Sequence, residues 1–238
     1  MNQKALVLLS GGIDSSLCTA MAINELGNDN VMTLSIYYGQ RHETELVAAA
    51  EVSAALDAKQ HFEMRIGSGL FAGSASTLFG GTLPEEEYTC EDEPASTYVP
   101  FRNGIFVSIA TAFSLTREVA CLWLGAHSED ALNWAYPDTT PEFIGGMANA
   151  IYIGTGRRVR LITPLQWMTK REIVAKALEL DVPLKLTYSC YAGGARHCGR
   201  CATCRSRIKA FMDNGVMDPV EYDENIDWKG LEDRIKLI

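Results

Sequence analysis

No stretch of the chain reaches the ~18–20 consecutive apolar residues that a membrane-spanning helix needs, so a helical membrane protein is not expected. The first residues lead straight into a strand-like run without a signal-peptide pattern, which makes the cytoplasm the expected location. Positive charge is also scarce. Against 30 Asp and Glu stand 21 Lys and Arg, a net charge of −9, whereas nucleic-acid binders normally carry a basic footprint. The one local exception is Arg196, Arg200, Arg205, Arg207 and Lys209. There is no internal repeat and no low-complexity tract. A disulfide framework is not expected either, although the chain has seven cysteines. Cys18 and Cys121 read as buried small apolar residues, and Cys90 falls in an acidic loop. Of its 238 residues 47% are hydrophobic and 21% charged, as in an ordinary folded core large enough for one α/β domain with a small appendage.

The informative start is Leu9-Ser10-Gly11-Gly12-Ile13-Asp14-Ser15-Ser16. An apolar run, Ala5 to Leu9, precedes it, and apolar residues at helical spacing (Ile13, Leu17, Ala20, Met21) follow, so the motif sits at a strand-to-helix turn. Paired glycines let the backbone turn tightly, and Asp14, Ser15 and Ser16 place hydroxyls, a carboxylate and amides at a positive helix end. Such a turn binds phosphate. It is not the common nucleoside-triphosphate loop, because no Gly-Lys-Ser/Thr closes it. A plain capped glycine turn is the simpler alternative. The full string, however, resembles the SGGxDS signature of the PP-loop ATP pyrophosphatases, which cleave ATP to AMP and pyrophosphate.

Further along, Val31–Tyr38 and Gln60–Ile66 read as strands on either side of an Ala-rich helix at Glu43–Leu56. Ile105–Leu115 reads as a helix apolar nearly all round, followed by a strand at Val119–Leu124. A helix at Pro141–Ile153, a strand at Val159–Ile162 and a helix at Thr169–Leu180 complete the alternation, the last with Thr169 as cap and Glu172 at N3. Alternating strands and helices predict a parallel sheet with ligands at the carboxyl ends of its strands. Residues 67–100, with acidic clusters at 85–87 and 91–93, break the pattern and read as a lid, a binding loop or a plain solvated loop.

Cys190 and the run Cys198-x-x-Cys201-x-x-Cys204 have the spacing of a closed tetrathiolate site, read as structural Zn²⁺, with the neighbouring arginines offsetting its negative charge. An iron–sulfur cluster also takes four thiolates. A redox dithiol leaves Cys190 and the regular spacing unexplained. His197 is a further nitrogen donor beside the cluster.

Both ends together make the chain similar to the 7-cyano-7-deazaguanine synthase family, a branch of the PP-loop enzymes. The matching stretches are Leu9–Thr19, Tyr38–His42, Tyr98–Asn103, Glu129 through Tyr136-Pro137-Asp138, Thr163-Pro164-Leu165-x-Trp167, Lys170 and Cys190-Tyr191 with the other three cysteines. Thr139-Thr140 stands where many members have a cysteine, and the Cys190–Cys198 loop is one residue shorter.

The resemblance implies a Rossmann-like α/β fold of the adenine nucleotide alpha hydrolase/PP-loop type, a twisted parallel sheet flanked by helices. It divides the chain into a catalytic domain (1–185), a four-cysteine zinc element (186–215) and a tail (216–238). The implied activity is C–N ligation in queuosine biosynthesis: 7-carboxy-7-deazaguanine, ammonia and ATP give 7-cyano-7-deazaguanine (preQ0) through adenylated carboxylate and amide. ATP would sit on Leu9, Ser10, Gly11, Gly12, Ile13, Asp14, Ser15, Ser16, Leu17, Cys18 and Thr19. Asp14 (a candidate Mg²⁺ partner), Ser15, Arg102 and Lys170 are the catalytic candidates. Arg41, His42, Phe101, Arg102, Asn103, Glu129, Tyr136 and Asp138 are the substrate candidates, and Cys190, Cys198, Cys201 and Cys204 the metal ligands. Members are often dimeric, so a homodimer is expected, with small molecules as the other partners. The competing expectations are a relative that couples the adenylated acid to another amine such as a protein N-terminus, a tRNA-thiolating PP-loop enzyme, and a non-enzymatic zinc module.

Overall fold

The computed structural model describes residues 3–40, 43–80, 82 and 93–229. Arg41, His42, Cys90, the acidic clusters but for Glu93, and the last residues of the tail lie outside them. Five short strands, β1 (Ala5–Leu8), β2 (Val31–Tyr37), β3 (Gln60–Arg65), β4 (Cys121–Leu124) and β5 (Arg160–Ile162), form one sheet in the order β3-β2-β1-β4-β5. Every pairing is parallel; Leu8 lies opposite Leu34 on one side and Leu124 on the other. The order reverses at β1, so the crevice beyond the carboxyl ends of β1 and β4 is the topological switch point where such sheets bind ligands.

Side chains alternate across the strands, and each face is covered by its own helices. Ala5, Val7, Cys121 and Trp123 pack with α1 (Ile13–Leu26), α5 (Lys170–Glu179) and α6 (Ala202–Asp213). Leu6, Leu8, Leu122 and Leu124 pack with α3 (Arg102–Leu115) and α4 (Pro141–Gly154). Strands buried on both faces explain why β1 and β4 read as unbroken apolar runs. The remaining helix, α2 (Thr44–Ala55), buries Ala49 and Val52 against Leu9.

Local signals place the helix ends. The Thr169 hydroxyl accepts from the Glu172 amide at 3.2 Å while the Glu172 carboxylate accepts from the Thr169 amide at 2.8 Å, closing the expected capping box. Pro141 opens α4 with Thr140 as its cap. In α3, by contrast, only Gly104, Val107, Ala110 and Ser114 are fully buried. The expectation of a helix buried all round is therefore corrected, since the helix covers one face of the sheet and Phe106, Ile109 and Phe113 sit half-buried along it.

The ends of the irregular 67–100 segment are sewn together by a Thr77 amide to Ser96 carbonyl bond of 2.8 Å. Phe71 and Phe79 close edge-on over Tyr38. After α6 the chain returns along the cysteine loop, where His197 and Tyr222 form an isolated bridge. That return brings carboxylates to the arginine cluster. Arg196 pairs with Glu221 at 3.1 Å, Arg200 with Glu224 at 3.9 Å and Arg207 with Asp218 at 2.5 Å, so carboxylates share the charge of these three arginines.

Arg207 and Asp218 are 1% and 0% exposed, and the guanidinium also donates to Thr187 Oγ1 and the Leu184 carbonyl. Asp218→Ala should therefore cost about 3–5 kcal/mol, because it strands a buried cation, whereas replacing both partners with apolar residues should cost much less. Urea unfolding of the three variants checks both statements.

Candidate active site at the strand-switch crevice

The loop between β1 and α1 is built to hold an anion. Gly12 caps α1 without a side-chain hydrogen bond, so the amino end of the helix faces the crevice with its dipole intact. Ser15 is folded back beneath the loop: its Oγ lies 3.1 Å from the Ser10 amide and 3.0 Å from Ser10 Oγ. The Ser16 hydroxyl donates to the Gly12 carbonyl at 2.7 Å, and Thr19 Oγ1 to the Ser15 carbonyl at 2.8 Å. Leu9, Ile13, Leu17 and Cys18 point into the cores, so their side chains support the loop rather than face a ligand.

Two glycines set how closely this loop is seated. Gly11 has φ +87°, and a Cβ there would lie 2.5 Å from the Glu45 carbonyl and 2.8 Å from the Ala49 amide of α2. At Gly125, just beyond β4, a Cβ would lie 2.9 Å from the Asp14 carbonyl.

Asp14, Lys170, Glu129, Asp130 and His127 converge at the mouth of the crevice. Lys170 Nζ contacts both Asp14 carboxylate oxygens, at 2.5 and 2.6 Å, across 156 residues of chain. Glu129 Oε2 accepts from the Lys170 amide at 2.6 Å and so holds the first turn of α5 in place. His127 is buried, with Nε2 3.4 Å from Asp130 Oδ2 and 4.0 Å from Asp14 Oδ1. Burial works against the Asp14 charge, but Lys170 and then His127 outweigh it and hold the carboxyl below its ordinary range.

The other candidates lie toward α3. The Asp138 carboxylate accepts from the Asn103 amide at 2.9 Å, capping α3 from outside, and burial pushes its carboxyl up. Arg102 donates to the Tyr38 hydroxyl at 3.0 Å. The Tyr136 hydroxyl meets Thr97 Oγ1 at 2.5 Å and the Tyr191 hydroxyl at 3.4 Å, linking the irregular segment, the 128–138 stretch and the cysteine loop. Phe101 takes a left-handed backbone at φ 55° and leaves half its side chain in solvent.

The sequence reading passed over His127, Tyr38 and Tyr191 as site residues. Gly125-Ala126-His127 directly after a buried strand was the available signal, because that position falls at a carboxyl strand end. Tyr38 and Tyr191 fall in the family-matching stretches, and their contacts with Arg102 and Tyr136 come from the tertiary structure.

The four cysteine sulfurs all lie within 4.8 Å of one another, and all four residues are buried. Amides of Ala192 and Cys198 point at Cys190 Sγ, at 3.4 and 3.3 Å, and that of Cys201 at Cys198 Sγ, at 3.3 Å. Such N–H donors stabilise thiolates, and the group can hold a metal ion. His197 stays outside it: its Nε2 lies 3.2 Å from the Ser189 amide, and its ring packs between Tyr188 and Tyr222.

This combination of switch-point crevice, glycine loop and parallel sheet defines an α/β fold of the PP-loop type. Solved structures share the fold. An NH3-dependent NAD synthetase from Campylobacter jejuni superposes with a TM-score of 0.50 at 20% identity, over 79% of this chain and 71% of the other. The U34-tRNA thiolase NcsA from Methanococcus maripaludis, which carries a [4Fe-4S] cluster, gives 0.52 at 19% identity, over 90% and 66%. Sequence narrows the class. The model of the family described as queuosine biosynthesis protein QueC matches residues 4–215. The 7-cyano-7-deazaguanine synthase of Acetivibrio thermocellus is 38% identical over 227 residues, 93% of this chain and 99% of that protein. The synthase of the same name from Methanoculleus marisnigri is 40% identical over 225 residues, 93% and 99%. The chain belongs to the QueC family of queuosine biosynthesis proteins.

Replacing Gly11 by alanine combines a left-handed backbone with two backbone clashes, and should destabilise the fold by about 2–4 kcal/mol. Chemical denaturation reads the loss, and a variant as stable as wild type would show that α2 yields freely.

Proposed function

We propose that the protein is a C–N ligase that makes 7-cyano-7-deazaguanine from 7-carboxy-7-deazaguanine, ammonia and ATP. The observation that carries this reading is the near-full-length likeness to enzymes named 7-cyano-7-deazaguanine synthase, 38–40% identical to this chain. A carboxylate is a poor electrophile, so its oxygen first attacks the α-phosphorus of ATP and pyrophosphate leaves. Ammonia then displaces AMP to give the amide. A second ATP activates the amide oxygen in the same way, and loss of that oxygen with AMP leaves the nitrile. Both carboxylate oxygens thus end in AMP, and no redox partner is needed.

The α1 amino end and the Ser10–Ser16 loop receive the phosphates, and Lys170 supplies a mobile positive charge beside them. Asp14, recessed but 26% exposed and near Asp130, offers hard oxygen donors that suit Mg²⁺, whose charge would offset that of the departing pyrophosphate. Arg102 is the partner proposed for the substrate carboxylate, because Tyr38 and Asp138 sustain its charge against burial. Phe101, Tyr136, Asn103, Asp138 and Glu129 frame the deazaguanine. Asp138 and Glu129 spend one oxygen each on an amide, so they orient the pocket and read the heterocycle with what remains. Arg41 and His42, which lie outside the described residues, are also assigned to the substrate.

Zinc is the metal proposed for the cysteines. One ion with Zn–S bonds of about 2.3 Å places four sulfurs ~3.8 Å apart, whereas a cluster of several irons spreads them wider. Sulfurs within 4.8 Å of one another favour the single ion. We take residues 1–185 as the catalytic unit, 186–215 as the metal element and 216–238 as the tail.

Two measurements test this reading. Purified protein with ATP, Mg²⁺, 7-carboxy-7-deazaguanine and isotopically labelled ammonium should yield labelled nitrile, with two AMP per nitrile. AMP without labelled nitrile would redirect the search to another amine, and no AMP would overturn the assignment. Cys201→Ser should lower zinc content and thermal stability together, and a folded, zinc-replete variant would rule out the closed tetrathiolate site.

A further inference from the structure

His127 has no place in the chemistry above, yet it is the most conspicuous buried polar group beside the phosphate loop. It is 2% exposed, and neither ring nitrogen has a hydrogen-bond partner among the described residues. A buried imidazole without a partner is uncommon, because water cannot reach it to compensate. Its Nε2 faces two carboxylates, 3.4 Å from Asp130 Oδ2 without hydrogen-bond alignment and 4.0 Å from Asp14 Oδ1. The Asp14 carboxylate is meanwhile saturated by Lys170, which contacts both of its oxygens.

That arrangement has a consequence once a polyphosphate enters. The phosphates carry more negative charge than one carboxylate, so the Lys170 ammonium is drawn toward them and away from Asp14. Asp14 would then lose its lysine partner, and with one oxygen given to the Mg²⁺ proposed above the other is left without a hydrogen-bond donor. His127 Nε2 needs to close only about 1 Å to donate to it.

We propose that His127 is a positioning residue for adenylation. Its Nε2–H takes over the Asp14 carboxylate when Lys170 turns to the phosphates, and keeps the phosphate loop registered against the 128–138 segment. The registry matters because that segment also carries Glu129, which holds the Lys170 amide, and Tyr136, whose amide donates to the Asp130 carbonyl at 3.1 Å. The contacts make a closed circuit, Asp14 to Lys170 to Glu129 to Asp130 to His127 and back, spanning both sides of the crevice.

The inference deepens the adenylation reading and rests on it, so its test has one arm that needs no deazaguanine. Calorimetric titration of the full chain with magnesium pyrophosphate reads the phosphate end alone. His127→Leu and His127→Asn, which lack a donor at the Nε2 position, should bind it about 10- to 100-fold more weakly, while His127→Gln, whose amide reaches that position, should stay within about 3-fold. In turnover the first two should lose kcat for AMP release by the same order with KM for the deazaguanine acid unchanged, and the glutamine variant should recover most of it. The asparagine variant removes the donor with less bulk than the native ring, so the test survives a leucine variant that does not fold. Wild-type pyrophosphate affinity and kcat in folded His127→Asn would overturn the proposal, as would equal losses in the asparagine and glutamine variants. A wild-type protein that releases no AMP would instead overturn the functional reading and leave the titration to judge His127.

Discussion

The close seating of the phosphate loop is the constraint on which the site depends. Gly11 lies so near α2, and Gly125 so near the first turn of α1, that neither position has room for a side chain. Seated this way, the amino end of α1 opens into the crevice between β1 and β4, where the sheet order reverses. Asp14 is thereby carried to the one place where residues leaving β4 and entering α5 can meet it. The ion pair with Lys170 follows from that seating, as does the approach of His127. A loop lifted by even an ångström would leave the helix dipole and the cationic side chain aimed at different points, and charge stabilisation in transition states is sensitive to misplacement of that size.

The cysteine element braces the same loop from the other side. The Tyr188 amide, two residues before the first cysteine, donates to the Gly11 carbonyl at 2.9 Å. Tyr188 also packs with Ala48 of α2 in one cluster with all four cysteines. Tyr191, one residue past Cys190, reaches Tyr136. The four-cysteine group is therefore connected to the glycine loop and to Tyr136, at two ends of the crevice, through neighbours of a single cysteine. A metal ion bound there would suit this task, because four ligands held in a closed geometry fix a short loop. The buried Arg207–Asp218 pair fastens the returning chain behind it.

Much of the fold could be read directly along the chain. The strand–glycine–helix start, the Thr169 capping box and the cysteine spacing each involve residues a few positions apart, so periodicity and local hydrogen bonding reveal them. Where reading and structure part, the cause lies at longer range. The arginines near the cysteines were read only against the thiolates, and their carboxylate partners were not foreseen. Their carboxylate partners lie some way on in sequence, in a segment that folds back only after α6 is complete. Likewise α3 looked buried all round, because composition does not say how many faces of a helix its neighbours cover.

By itself the sequence determined the class of fold, and it pointed to the glycine loop and to the four cysteines that come together as a group able to hold a metal, since these are written in contiguous or closely spaced residues whose backbone needs are local. Only the tertiary structure decided how the side chains of the site meet, and it added His127 to them. Lys170 joins Asp14 from 156 residues away, and His127 reaches it from the far side of a strand crossover. Those meetings depend on the order of strands in the sheet, and strand order is a property of the packed whole rather than of any segment within it.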